Sequence, residues 1–253
     1  MEPHRQAPAR AEVGGRVKLR PWDWAGVGVA LACAALFVRL GVWQVHRLQQ
    51  RRARNASIAA RRALPPIVLG ATAGAGGGEL APDSVQDRRV TARGTYDYSA
   101  ERLWAGRTYE GTPGVAVLTP LRLAGGGAVY VDRGWVPSPD GRHIDQAAVR
   151  EGDTATVEGL AFAVPRARGD VDVTRLKDSV SYPLYAFIIQ ETPSIRPSDR
   201  PTVRRLYRWP APVLGDGPHL SYAIQWFSFA VITLVGTAAL LRKARYESTH
   251  PTI

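Results

Sequence analysis

Two stretches of the chain lack any polar patterning, and most of what lies between them alternates. Leu220 to Leu241 runs without a charge and is closed by Arg242-Lys243-Ala244-Arg245. At helical rise that run reaches roughly 33 Å, enough for the ~30 Å hydrocarbon layer of a bilayer. Trp24 to Trp43 is a second apolar run, broken only by Arg39. Arg39 stands close enough to the end of the run for its guanidinium to reach the interface along an apolar stem. Trp22, Trp24 and Trp43 mark the edges of this run as interfacial tryptophans do. A cleaved signal peptide would be shorter and end in a small-residue cleavage site. Here Leu40-Gly41-Val42-Trp43 carries the apolar stretch past Arg39, which predicts an uncleaved helix.

After Trp43 the first helix is expected to run on through Gln44–Ala63 as a charged extension and to stop at Pro65-Pro66. Residues 70–78 are glycine and alanine apart from Thr72, a linker composition with nothing to build a core. From Arg89 onward the pattern turns strand-like, with runs at residues 90–96, 114–121, 128–136 and 154–162 rich in valine, threonine and aromatics. Turn signals separate them at Gly111-Thr112-Pro113, Gly125-Gly126-Gly127 and Pro137-Ser138-Pro139-Asp140-Gly141. Residues 184–190 read as one further strand. Six prolines between Pro193 and Pro218 predict an extended return segment. Asp216-Gly217-Pro218 then starts the last helix, with Asp216 as its capping side chain.

The expected fold is that of an α+β membrane protein. Two transmembrane helices flank an extracytoplasmic, antiparallel β-rich domain, a sandwich or small barrel. The boundaries expected are a cytoplasmic basic tail at 1–21, the first transmembrane helix at 22–45, and an interfacial extension with the glycine-rich linker at 46–88. The β-rich domain follows at 89–192, the proline-rich return at 193–218, the second transmembrane helix at 219–241 and a cytoplasmic tail at 242–253.

A net charge of +11 raises the question of nucleic acid. Much of the excess flanks the two apolar runs, where basic side chains meet anionic lipid headgroups, so the bilayer is the expected partner and nucleic acid is not. Thirty arginines against three lysines point to codon bias in a GC-rich genome rather than to phosphate recognition. Two spans place both termini on one side. The charges do not choose that side, because Arg47, Arg51, Arg52 and Arg54 follow the first span as closely as Lys18 and Arg20 precede it. A single cysteine, Cys33, excludes an internal disulfide and a paired-thiolate site for copper. No nucleophile elbow, zinc-protease motif, Cys-x-x-Cys or phosphate-binding loop occurs, so an enzyme is not expected. Asp170 and Asp172 could share a strand face, but two carboxylates in a basic loop read as solvated.

His219 is the most suggestive side chain. His219, Tyr222 and Trp226 fall on one face of a helix, with Thr233 close by. A histidine nitrogen beside flat aromatic surfaces at a membrane edge could ligate a haem iron. The plainer alternative is an ordinary interfacial histidine beside an aromatic belt. The connection between the spans brings His46 and Arg47 to the membrane level of His219, and Arg39, Trp43 and His46 share a helix face. Arginine there would neutralise haem propionates, or would simply end the span.

The stretch Leu40-Gly41-Val42-Trp43-Gln44-Val45-His46-Arg47 resembles the Leu-Gly-x-Trp-Gln-x-x-Arg signature of the surfeit locus protein 1 family, assembly factors of haem-copper cytochrome c oxidase. Residues 114–121, the segment Val131-Asp132-Arg133-Gly134-Trp135-Val136-Pro137, and His219-Leu220-Ser221-Tyr222-Ala223-Ile224-Gln225-Trp226-Phe227 are similar to three further motifs of that family, in the same order. The resemblance implies an assembly function without turnover, a bacterial cell-membrane location with cytoplasmic termini, and the central domain outside. It implies transient haem a binding with His219 as iron ligand and retains Trp43 and Arg47; Tyr222 and Trp226, on the helix face of His219, complete the expected cofactor-binding set. Oxidase subunit I and haem a synthase are the partners it implies. Arg133-Gly134-Trp135 is expected to shape a β turn and pack the domain rather than touch cofactor. The alternative function is a cofactor-free membrane scaffold that stabilises oxidase assembly intermediates.

Overall fold

The computed structural model describes residues 21–70, 80–163, 180–193 and 206–249. The basic N-terminal tail, nearly all of the glycine-rich linker, Asp170, Asp172, residues 194–205 of the proline-rich segment and the last four residues lie outside the described residues. The chain divides into two units. One comprises the chain up to Arg54 together with Gly215 onward; the other is Asn55–Leu214.

The first unit holds the two long helices, α1 (Pro21–Ala63, of which the part up to Arg54 belongs here) and the last helix, α3 (His219–Thr249). Both are long and apolar enough to cross a membrane. Only 11% and 6% of their most apolar stretches are buried, whereas the core helix of a soluble protein would be mostly covered. Val29, Leu31, Leu36, Ile224, Ile232 and Val235 all face outward, as lipid-facing side chains would.

The second unit is a β domain of strands β1 (Ile67–Leu69), β2 (Arg89–Tyr96), β3 (Arg102–Tyr109), β4 (Thr112–Leu123), β5 (Ala128–Pro137), β6 (Thr154–Ala163) and β7 (Leu184–Glu191), with a short helix α2 (Pro82–Val85) before β2. The sheet order is β1-β2-β6-β7-β5-β4-β3, and the end of β2 also pairs with β4. That extra pairing closes a ring, β2-β6-β7-β5-β4, so the domain is a barrel-like sheet. Closure is permitted at Gly94, where a Cβ would stand 2.1 Å from the Arg122 carbonyl oxygen.

The expectation of a purely antiparallel sheet is corrected here. β5 and β7 pair in parallel, as do β1 and β2. A ring of five strands cannot close with every neighbour antiparallel, because alternation around an odd number leaves one pair pointing the same way; that pair is β5 and β7. Val90, Ala92, Leu121, Val129, Val131, Val157, Phe187 and Ile189 fill the interior. A second layer, Leu118, Tyr130, Leu184 and Ile188 under Trp104 and Tyr182, covers the other face. β5 is therefore buried on both faces along almost its whole length.

A second correction concerns Arg133-Gly134-Trp135, which lies inside β5 and forms no β turn. Leu118 pairs with Asp132 and Val117 with Gly134, leaving Arg133 as the extra residue of a β-bulge. Gly134 has φ +131°, and a Cβ there would stand 2.5 Å from the Tyr207 oxygen. That close approach allows Trp135 and Tyr207 to pair by two backbone hydrogen bonds, at 2.7 and 2.8 Å.

Candidate functional site

Within the helix unit, buried and half-buried positions recur on α1 at Ala34, Phe37, Gly41, Gln44 and Leu48, and on α3 at His219, Ala223, Trp226 and Ala230. Steps of three and four make each set one continuous stripe, the spacing of a left-handed antiparallel helix pair. Small residues let the backbones approach: a Cβ on Gly41 would stand 2.7 Å from the Phe227 ring. Phe37 stacks on Trp226 with ring centroids 5.8 Å apart, and Phe229 packs against both rings at 5.8 and 5.9 Å.

At the start of α3 the pair is tied by polar contacts. Arg51 donates from Nε to the Gly215 carbonyl at 2.8 Å, and Arg52 pairs with Asp216 at 2.8 Å. Among the described residues the Asp216 carboxylate thus bonds Arg52 instead of capping the first turn of α3 as expected; Ser221 donates to the Pro218 carbonyl there. One turn further into the stripe, His219 Nδ1 lies 2.9 Å from the Gln44 side-chain oxygen. An amide oxygen can only accept, so Nδ1 is the donor in this contact, and of the two neutral tautomers only the one with Nδ1–H satisfies it. Nε2 has no hydrogen-bond partner among the described residues.

Of the expected site residues, His219 and Trp226 lie on this stripe. Tyr222 is 46% exposed and Trp43 53% exposed, both turned away from it. Arg47 is exposed and donates to Gln50 within its own helix, and His46 is exposed. Sequence reasoning missed Gln44. The signal was available: a polar side chain three residues after Gly41 and four before Leu48 sits in register with an otherwise apolar stripe.

The β unit holds a second concentration of chemistry-bearing groups. The bulged Arg133 is fully buried and pairs with Glu101 at 3.1 Å and Glu151 at 3.2 Å, and donates to the Val149 carbonyl. Its guanidinium lies 5.1 and 5.3 Å from the Tyr96 and Tyr98 ring centres. Arg208 reaches both Glu151 oxygens at 2.7 Å and Glu191 at 3.2 Å. Gln146 donates to Glu101 at 3.2 Å. The groups answer one another, which makes the cluster a structural lock on the bulge. Beside it, burial pushes the Asp132 carboxyl up to about 6, partly offset by the hydrogen bond from the Gly134 N–H and by the Arg107 charge. Trp135, Tyr109, Tyr207 and Trp209 form an aromatic cluster over Gly134, with the Tyr109 and Tyr207 rings 4.2 Å apart.

Both constellations fall on the segments compared with a known family above, and the match extends well beyond those motifs. The model of the SURF1 family matches residues 31–231. The chain is 30% identical over 228 residues to uncharacterized SURF1-like proteins of Mycobacterium bovis and Mycobacterium tuberculosis, covering 86% of this chain and 83% of theirs. A SURF1-like protein of Monosiga brevicollis is 28% identical over 227 residues, 83% of this chain and 85% of its own. The matched stretch includes the helix stripe, every strand of the barrel and the His219 turn, so the chain belongs to the SURF1 family, a family generally linked to cytochrome oxidase assembly.

Proposed function

We propose that this protein is a membrane-anchored assembly factor that holds haem a through His219 and aids its insertion into subunit I of cytochrome c oxidase. The observation that carries the reading is the setting of the His219 ring: Nδ1 lies 2.9 Å from the side-chain oxygen of the buried Gln44 on the other helix, and Nε2 is left without a partner among the described residues. An imidazole whose Nδ1 is engaged in this way can offer Nε2 to iron in its neutral form. A single axial nitrogen holds a haem less tightly than two would, which suits a group that must leave again. Arg47, exposed on α1, is available to a propionate. Tyr222 and Trp43 stand on the outward faces of their helices, where a flat apolar ring could lie against them from the lipid side.

In this reading α1 and α3 cross the cell membrane, both termini are cytoplasmic, and the barrel domain lies outside and docks on the oxidase subunit or on haem a synthase. No turnover is assigned to the protein. In cells lacking the native chain, His219→Ala supplied in its place is expected to leave oxidase subunit I present but poor in haem a. Normal haem a content with the variant would overturn the proposal.

A second reading has its own observation. Phe37, Trp226 and Phe229 already fill one another's faces, so the stripe is packed without any guest. That favours a cofactor-free scaffold in which His219 merely ties the helices together, and normal haem a content in the His219→Ala strain would support it.

A further inference from the structure

We infer that Gln44 is the positioning residue of His219, setting which ring nitrogen carries the proton and thereby which nitrogen is offered to a metal. The inference rests on the haem reading for the identity of the ligand; the hydrogen bond itself stands without it.

Three observations converge on Gln44. Its side chain is only 9% exposed although it is polar, so its oxygen needs a donor from the protein, and His219 Nδ1 supplies one at 2.9 Å. Its place on α1 is fixed from both sides. Gly41, one turn before, takes the Phe227 ring of α3 at contact distance, and Arg51 and Arg52 hold Gly215 and Asp216 just ahead of His219. The acceptor is therefore placed before any ligand arrives, and ordering it requires no further loss of freedom. Lastly, the acceptor is an amide. A carboxylate in this position would favour the doubly protonated imidazolium, which cannot ligate, and would push electron density onto a bound metal. An amide oxygen selects the Nδ1–H tautomer without either effect. The result is a histidine that is ready to ligate and weak enough to release.

The choice of glutamine thus tunes binding toward hand-over. Gln44→Leu keeps the side-chain volume nearly the same and removes the acceptor. Gln44→Glu keeps the acceptor and adds charge. Loss of such an outer partner typically lowers metal affinity roughly 10- to 100-fold.

The test uses the full chain in detergent micelles. In the haem-free protein, imidazole nitrogen-15 chemical shifts near pH 8 are expected to show a protonated Nδ1 and a bare Nε2 on His219. In Gln44→Leu the two nitrogens are expected to move toward a mixture of tautomers, and Gln44→Glu is expected to keep Nδ1 protonated. Titration with haem a is expected to give a dissociation constant raised about 10- to 100-fold in Gln44→Leu, with slower release in Gln44→Glu than in the wild type. An Nε2–H ring in the wild type, or the same tautomer in Gln44→Leu as in the wild type, overturns the inference. So does unchanged haem affinity in Gln44→Leu when His219→Ala loses binding. Full binding by His219→Ala contradicts the iron-ligand reading instead, and the nitrogen shifts then decide the role of Gln44 alone.

Discussion

Gly41 of α1 meets the ring of Phe227 on α3 so closely that a methyl group at residue 41 would stand 2.7 Å from Cε1 and 2.8 Å from Cζ. The neighbouring atoms are the far end of a side chain that can rotate, so Gly41→Ala is expected to be accommodated by a small ring shift. Gly41→Leu leaves no such escape and should part the helices at the level of Gln44 and His219, at about 1–3 kcal/mol for overpacking. Thermal unfolding in detergent checks this: the leucine variant should melt several degrees lower and the alanine variant close to wild type.

The Arg133 cluster makes the opposite kind of prediction. Arg133→Met removes the cation that both Glu101 and Glu151 face in a buried site. Breaking a buried pair by removing one partner destabilises by about 3–5 kcal/mol, since a charge is left without compensation. Arg133→Lys should rescue little, because one ammonium cannot reproduce the forked contacts to Glu101, Val149 and Glu151. Protein yield and denaturant midpoint of the two variants measure the difference, and equal stability to wild type would show that the cluster is not a lock.

Asp132 gives a pH dependence of definite sign. Burial raises its carboxyl from 3.8 to about 6 in the folded chain. Between those values the folded chain holds a proton that the unfolded chain has released. Its contribution to stability is therefore greatest below about pH 4, falls as pH rises toward 6, and is constant above that. A shift of this size corresponds to about 3 kcal/mol. Asp132→Asn keeps an oxygen for the Gly134 N–H and loses the titration. The variant is expected to gain stability over wild type at pH 7.5 and to lose that advantage near pH 4; stability profiles against pH that run parallel would refute the assignment.

Gly134→Ala should be poorly tolerated. The residue sits at φ +131°, and the added methyl would strike the Tyr207 carbonyl at 2.5 Å, a backbone atom that cannot rotate away. Strain of this kind is of order 1–3 kcal/mol, and the Trp135–Tyr207 pairing would be lost with it. Amide hydrogen exchange at Trp135 and Tyr207 should accelerate in the variant while the Val90 and Val157 amides stay protected.

The two helices, the strands β2, β4, β5, β6 and β7 and the turns that follow β4 and β5 are legible in the sequence because each is carried by local pattern. Closure of the barrel is not, since it depends on β2 meeting β4 at Gly94, a contact between distant segments that leaves no periodic mark. β1 is too short, at three residues, to show a pattern. β3 joins too few consecutive apolar residues, with Arg102, Gly106 and Arg107 among them. At the candidate site, His219 stood out by its place at the head of an apolar run. The grouping with Tyr222 came from counting angle around one helix in isolation. The structure groups His219 with Ala223 and Trp226, a step of four and then three in place of three and then four, because the position of α1 decides which of the two faces is covered. Gln44 was hidden because its partner lies on the other helix, and one sequence shows no pairing.

The central claim is most directly tested by the haem content of the purified chain. Wild type and His219→Ala, each co-expressed with a haem a synthase and purified in mild detergent, would be compared by reduced pyridine haemochrome spectra. The account predicts a haem a band in the wild type that is lost or much reduced in the variant. Equal haem a in both folded proteins, or none in either, would contradict it.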